Sequence, residues 1–177
     1  SVAADDTNSL RYGMRTNGKS GFVFVNHYQR LTELADIENA VISAGNVEFT
    51  PIDVKGEVSF FMPFNMKMGD SVLEYATAQP LCKCDDTYFF AEIPNIKAEY
   101  KFSKGSANIV TVPFENAKYM RKLNGTVYIG GGCNLYEENG QIHSVEDGEY
   151  ICQKWNGSEF ETLKIGQSAK QSNVEIT

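Results

Sequence analysis

The sequence predicts an all-β fold: an antiparallel β-sandwich or a pair of sheets built from hairpins, with at most one short helix. Two observations carry this prediction. Short runs of β-branched and aromatic residues recur along the 177 residues and are separated by turn residues. Asn-Gly dipeptides, which favour tight hairpins because both residues tolerate positive φ, begin at Asn17, Asn124, Asn139 and Asn156.

The predicted strands follow the alternation of apolar side chains. In chain order they are residues 10–16, 22–28, 47–54, 58–63, 71–78, 88–93, 98–102, 108–112, 126–129, 134–136, 141–144, 149–155 and 159–164. Phenylalanine alternates with valine over residues 22–25, so we expect this strand to lie at the centre of a sheet with both faces covered. Pro63 cannot donate to a strand ladder, and we expect it to end its strand or to lie at a bulge.

Residues 30–44 are the one stretch with helical spacing of apolar residues. Leu34, Ile37, Val41 and Ala44 would share one face of that helix. The alternative is a loop followed by a strand over residues 39–43, which the β-branched pair at positions 41 and 42 favours.

Length and composition indicate a single domain over residues 1–177, with a subdivision considered near residues 103–107. The formal charge of 16 − 23 = −7 repels phosphate backbones, so we expect no nucleic-acid partner. Apolar runs fall short of the roughly 18 residues of a membrane span, and residues 1–6 lack the order of a signal peptide, so neither a membrane partner nor a targeting segment is expected. The compartment stays undecided.

Residues 13–20 match G-x-x-x-x-G-K-S, the phosphate loop of nucleotide hydrolases. That loop needs a helix beginning at its Lys and Ser, because the helix N-terminus binds the phosphate. Here the strand-like residues 22–25 follow. We therefore predict a hairpin that turns at Asn17 and Gly18, and no cofactor.

Residue types suited to metal binding and catalysis are present without the spacing that those sites need. Cys82, Cys84, Cys133 and Cys152 form no C-x-x-C pair, so we expect buried thiols and no metal. The chain has no G-x-S-x-G segment, and its His27 is expected to be a hydrogen-bonded core histidine.

Acidic and aromatic residues allow carbohydrate chemistry without specifying it. A pair of carboxylates can hydrolyse a glycosidic bond. The glutamates on predicted strands fit a solvent-facing position equally well, so no catalytic residue is predicted; they are Glu48, Glu74, Glu92 and Glu99. Four aromatic rings are candidates for stacking on a sugar, with burial in the core as the alternative: Trp155, Tyr136, Tyr75 and Tyr88.

Several segments together resemble one protein family. They are residues 10–30 (LRYGMRTNGKSGFVFVNHYQR), 60–66 (FFMPFNM), 73–82 and 87–90 (TYFF). They resemble, in the same order, the region that follows the catalytic barrel in bacterial β-galactosidases of glycoside hydrolase family thirty-five. The resemblance covers roughly residues 10–100. It implies a non-catalytic accessory β domain of an enzyme that removes terminal β-galactosyl residues, with the catalytic glutamates on the barrel and none in this chain.

The resemblance also implies the partners. A (β/α)₈ barrel takes about 250 residues, so this chain cannot contain one. We expect the domain to support or shape the substrate site of a catalytic barrel, and β-galactosides to be its ligands if it binds sugar. The alternative is a carbohydrate-binding module that recognises galactosides through exposed aromatics. A face that packs on a barrel should be apolar and exposed in this chain alone.

Overall fold

A computed structural model of the chain describes Asp6 and residues 8–146 and 148–166. These residues form several sheets with mainly antiparallel pairing, so the predicted all-β class is confirmed. The chain divides into two compact units, Ser1–Phe114 and Glu115–Thr177. Residues 1–5, considered above for targeting, lie outside the described residues.

The first unit is built from short strands joined by turns. They are β1 (Tyr12–Thr16), β2 (Gly21–His27), β3 (Ile37–Ala40), β4 (Ser43–Ala44), β5 (Val47–Glu48), β6 (Ile52–Val54), β7 (Val58–Met68), β8 (Ser71–Ala76), β9 (Gln79–Cys84), β10 (Thr87–Ala91), β11 (Tyr100–Lys104) and β12 (Asn108–Val112). The segment near residues 103–107 joins β11 to β12.

The largest sheet has the strand order β1-β2-β7-β8-β11. Val23 and Val25 of β2 face the core, which residues from β3 to β6 complete on the opposite side. Phe22 and Phe24 point to the other face because side chains alternate along a strand. Phe24 is 42% exposed. The expectation that β2 is covered on both faces is therefore wrong within the described part of the chain.

Pro63 lies inside β7, opposite Phe22, and neither ends the strand nor forms a bulge. Proline is accommodated inside this strand because the backbone nitrogen of residue 63 points away from β2. The N–H of Phe61, two residues earlier, points away from β2 and donates to Gln79 Oε1. Pro63 shares that direction, so the β2 ladder loses no hydrogen bond, and pairing with β8 begins one residue later at Phe64.

Residues 30–44 form no helix, and that prediction is wrong. Burial alternates with a period of two: Ala40, Ile42 and Ala44 are buried, while Val41 is exposed. The segment forms β3 and β4, because Ile42 and Ala44 enter the core only in an extended chain. The sequence alternative, a loop followed by a strand, describes this segment better.

A second sheet of the first unit has the order β12-β10-β9. β9 was not predicted, because Pro80 and Lys83 are unfavourable in strands; it lies at the sheet edge, where proline is tolerated. β10 and β12 are parallel, because the chain between them crosses to the first sheet to form β11. Leu73 and Phe90 belong to the core cluster that contains residues of both sheets.

The second unit contains a four-stranded sheet and a two-stranded hairpin. Its elements are β13 (Met120–Leu123), β14 (Thr126–Gly130), β15 (Leu135–Glu138), β16 (Gln141–Ser144), β17 (Tyr150–Trp155) and β18 (Phe160–Ile165), and the helical turn α1 (Phe114–Ala117) begins at the last residue of the first unit. Within the described ranges, no helix has the length and apolar character needed to cross a bilayer.

The Asn-Gly dipeptides all lie in hairpin turns, as predicted, but in two geometries. Asn124 and Asn139 have positive φ, as do the glycines that follow them, which is the two-residue hairpin turn. At Asn17 and Asn156 only the glycine has positive φ. There the loop has four residues, and the Asn Oδ1 accepts backbone N–H groups two and three residues ahead.

Candidate functional site

The predicted sugar-stacking rings lie in different environments. Tyr75 in the first unit and Trp155 in the second are core residues, 8% and 6% exposed. Tyr75 packs beside Phe49, and Trp155 packs edge-on against Phe160.

The other two predicted rings are half-buried. Tyr88 lies under the Lys83 ammonium, and Tyr136 stacks on His143. The structure brings no two of the four predicted rings into one described ring contact. Their role in sugar binding stays a prediction.

The segment that matches a phosphate loop is a β-hairpin. Residues 12–16 form β1, residues 17–20 form the turn, and β2 follows without a helix. The Oδ1 atom of Asn17 accepts the N–H groups of Lys19 and Ser20, so these donors are used within the turn. Arg15, Phe22 and Lys67 help to line a surface cleft of about 420 Å³ beside it.

The cysteines are buried or half-buried side chains. Cys84, Cys133 and Cys152 are buried, and burial raises the pKa of the Cys152 thiol, to which its neighbour Cys133 adds. No group of three His, Cys, Asp or Glu side chains suited to hold a metal ion occurs among the residues described.

His27 is a core residue, but its hydrogen bonding differs from expectation. It is 2% exposed on the inner face of β2. Its Nε2 atom has no hydrogen-bond partner in the described parts of the chain, so the expectation of a fully hydrogen-bonded histidine is wrong for this nitrogen.

Three phenylalanines form an aromatic face on the outside of the large sheet. Phe22, Phe24 and Phe61 are mutual neighbours, with ring centroids 5.8 to 6.4 Å apart. Gly13 lies opposite Phe24 on β1, so the residue directly across from that ring has no side chain. We call these three rings the aromatic face.

The strands that carry the aromatic face are free of acidic residues. Neither residues 8–32 nor residues 58–69 contain Asp or Glu. Arg15 is the cross-strand neighbour of Phe22, and Lys19 lies in the adjoining turn. In a chain with a net charge of −7, the strands of the aromatic face therefore carry basic residues and no acidic ones.

A polar cleft of about 300 Å³ lies elsewhere in the first unit. Its polar lining comes from three separate segments: Asn39, Thr50, Asp53, Asn95, Lys97 and Glu99. Ligand pockets are usually lined mainly by apolar side chains with a few polar groups. This cleft presents carboxylates, amides, a hydroxyl and an ammonium group together, and we call it the polar cleft.

Backbone geometry fixes two of its walls. Asn39 has a φ of 53° at an irregularity in the β3–β6 pairing, and its N–H donates to Asp53 Oδ1 at 2.9 Å. On the other wall, the N–H of Ile96 donates to the carbonyl of Ile93, closing a turn with Pro94 second and Asn95 third. Asn95 has a φ of 63°, as the third residue of a type II turn requires.

The buried hydroxyl of Thr77 supports the backbone segment that carries Lys97 and Glu99. Thr77 is fully buried; its Oγ1 donates to the Lys97 carbonyl at 2.7 Å and accepts the Glu99 N–H at 2.8 Å. Its own N–H donates to the Glu99 carbonyl. The Lys97 and Glu99 side chains form an ion pair of 3.1 Å at the cleft.

A second cleft, of about 580 Å³, adjoins the polar cleft and shares residues 95–97 with it. Glu92, Pro94 and Thr111 contribute to its lining, together with Phe114, whose ring is 41% exposed. The second cleft thus adds an exposed aromatic ring and further polar groups to the surface around the turn.

The second unit has a loop of its own that a tyrosine supports. The Tyr150 hydroxyl accepts the N–H of Cys133 at 2.9 Å. Burial is the main reason why the pKa of Tyr150 rises to about 12, and the nearby Cys133 side chain adds to the shift. Gly130 is required nearby, because a Cβ atom there would lie 2.0 Å from the Cys133 carbonyl oxygen.

Comparison of the chain with models of protein families, with curated proteins and with solved structures found no match. This chain's own residues and its resemblance to the β-galactosidase segments are therefore the basis for its proposed function.

Sequence reasoning found part of these surfaces. The alternation over residues 22–25 indicated one aromatic and one aliphatic face, and Glu99 was among the strand glutamates considered. Asn39, Asp53 and Lys97 of the polar cleft were missed. The one local signal was the Pro94-Asn95 dipeptide, which is typical of the two central positions of a type II turn.

Proposed function

We propose that this chain is the non-catalytic accessory β domain of a β-galactosidase of glycoside hydrolase family thirty-five, and that it packs beside the catalytic barrel and supports its substrate site. The resemblance over roughly residues 10–100 supports the family. The aromatic face is the observation that carries the packing role, because clustered, partly exposed apolar side chains on the outside of a sheet are typical of an interaction surface.

Aromatic rings at an interface contribute much of the binding energy because they remove a large apolar area from water with few rotatable bonds. Phe24 is the most exposed member of the aromatic face. Arg15 and Lys19 border it, so the complementary surface of the barrel is apolar at its centre and acidic at its rim. The barrel supplies the catalytic carboxylates, and this chain supplies packing.

Two experiments test this proposal. In the first, the purified chain is assayed with a chromogenic β-galactoside, and we expect no turnover above the buffer rate. Clear hydrolysis by the chain alone would overturn a non-catalytic role.

In the second, the chain is mixed with the catalytic barrel of a family-thirty-five β-galactosidase, and association is measured by analytical ultracentrifugation. We expect Phe24→Asp to weaken association at least about tenfold, since a central aromatic anchor contributes more than 1.4 kcal/mol. Leu81→Asp is the matched control, because Leu81 is 40% exposed on a different sheet. Equal effects of both variants, or no association at all, would contradict the proposal.

A further inference from the structure

We propose that the polar cleft of the first unit is a binding site for a neutral, hydroxyl-rich ligand, a saccharide of one or two rings. This site shares no residue with the aromatic face or with the four predicted rings. It can therefore be tested independently of the accessory-domain function.

The lining of the cleft selects this class of ligand. The Asp53 and Glu99 carboxylates accept hydrogen bonds, the Lys97 ammonium donates them, and the Asn39 and Asn95 amides do both. A sugar hydroxyl also donates and accepts, so adjacent hydroxyls can pair with both the donors and the acceptors of the lining. An apolar ligand would leave these groups desolvated without partners, which is costly.

The charge of the lining disfavours an anionic ligand. Two carboxylates and one ammonium group line the cleft, and the ammonium is held by Glu99 at 3.1 Å. An anionic ligand would meet the net negative charge of this lining, and a phosphate would compete with Glu99 for Lys97. A neutral polyol needs no change in the charge of any of these groups.

The site is largely built before a ligand arrives. The Thr77 hydroxyl holds the backbone of Lys97 and Glu99 from beneath, and Thr77 itself is fully buried. Ile93 and Ile96, on either side of the turn that presents Asn95, are both core residues. Little conformational entropy remains to be lost in these backbone segments on binding, which favours affinity.

The neighbouring cleft extends the site. The two clefts share residues 95–97, and the exposed ring of Phe114 gives the second cleft a flat apolar surface. The C–H face of a sugar ring packs well on such a surface. A disaccharide would thus place one ring among the polar groups and its second ring toward Phe114.

The test is isothermal titration of the full chain with galactose, glucose, lactose and maltose, followed by ¹H–¹⁵N spectra with the sugar that gives heat. We expect saturable binding, with shifted resonances at Asn39, Asn95 and Lys97. Asp53→Asn and Glu99→Gln should each weaken binding at least about tenfold, because a hydrogen bond to a charged group contributes that much.

Glu57→Gln is the matched control, since it removes an exposed carboxylate outside the cleft lining and should leave the affinity unchanged. Far-UV circular dichroism of each variant separates loss of binding from loss of fold.

Flat titrations with all four sugars would overturn the proposal, as would resonance shifts confined to other residues or binding that Asp53→Asn and Glu99→Gln leave unchanged. A response to CaCl₂ without a response to any sugar would assign the carboxylates to a cation instead and would also overturn it.

Discussion

Each unit of this protein has a loop segment that a side-chain hydroxyl holds in place, and the two hydroxyls differ in kind. In the first unit, fully buried Thr77 binds the backbone of Lys97 and Glu99 through its Oγ1. In the second, half-buried Tyr150 accepts the N–H of Cys133. Threonine does not titrate, whereas burial of the tyrosine disfavours its phenolate, so of these two residues only Tyr150 contributes a stability that depends on pH.

The largest expected effect is that of Thr77→Val. Valine keeps the volume and removes the hydroxyl, which leaves the Lys97 carbonyl and the Glu99 N–H without these partners. We expect the free energy of unfolding to fall by about 2 to 4 kcal/mol, measured by urea denaturation with far-UV circular dichroism. Thr77→Ser keeps the hydroxyl and is the control. If the serine variant loses as much stability as the valine variant, packing and not hydrogen bonding explains the role of this residue.

Tyr150→Phe should have a smaller effect, because one hydrogen bond is lost instead of two. Cys133 is 5% exposed, so its N–H would be left buried without this acceptor. We expect a loss of about 1 to 2 kcal/mol, measured by urea denaturation with the fluorescence of Trp155, which belongs to the same strand as Tyr150. Tyr136→Phe is the control and should change stability by less than about 0.5 kcal/mol. Equal losses in both variants would contradict a specific role for the Tyr150 hydroxyl.

Alkaline pH should lower the stability that Tyr150 contributes and leave the contribution of Thr77 unchanged, without any substitution. Folding raises the pKa of Tyr150 from about 10 to about 12, chiefly through burial. A group whose pKa is raised by folding contributes stability that is complete below its unfolded pKa and is lost as pH rises through its folded pKa. The urea midpoint of the wild type should therefore fall between pH 10 and 12 and approach that of Tyr150→Phe. A constant difference between the two proteins across that range would contradict the assigned shift.

The sequence predicts those features of these surfaces that depend on neighbouring residues, and it does not predict those that depend on residues distant in the chain. The aromatic face was foreseeable in part, because the alternation of Phe22 to Val25 assigns side chains to opposite faces of one strand. Whether another layer covers that face depends on distant residues, and there the prediction was wrong. The same limit explains residues 30–44, where an apolar spacing of three and four residues coexists with burial of period two.

The polar cleft was not foreseeable, because its walls come from segments that sequence spacing does not connect. Asn39 and Asp53 meet through an irregular strand pair, and Glu99 is held by Thr77, 22 residues earlier in the chain. The turn at Pro94 and Asn95 is local and carries a recognisable dipeptide, yet nothing in that dipeptide indicates which residues lie across the cleft. Residue spacing along the sequence therefore predicts strands but does not predict sites made of turns and long-range hydrogen bonds.

The smallest expected effect on stability is that of Asn95→Gly, which separates the fold of the cleft from its binding chemistry. Glycine adopts the φ of 63° without strain, so the turn should persist and the free energy of unfolding should change by less than about 0.5 kcal/mol. The variant lacks the side-chain amide, so saccharide affinity should fall several-fold in the calorimetric titration. Asn95→Ala is the contrasting variant, because alanine in this conformation costs about 1 kcal/mol. If Asn95→Gly binds sugar as well as the wild type does, this amide takes no part in recognition, and the ligand lies on the Asp53 and Glu99 side of the cleft.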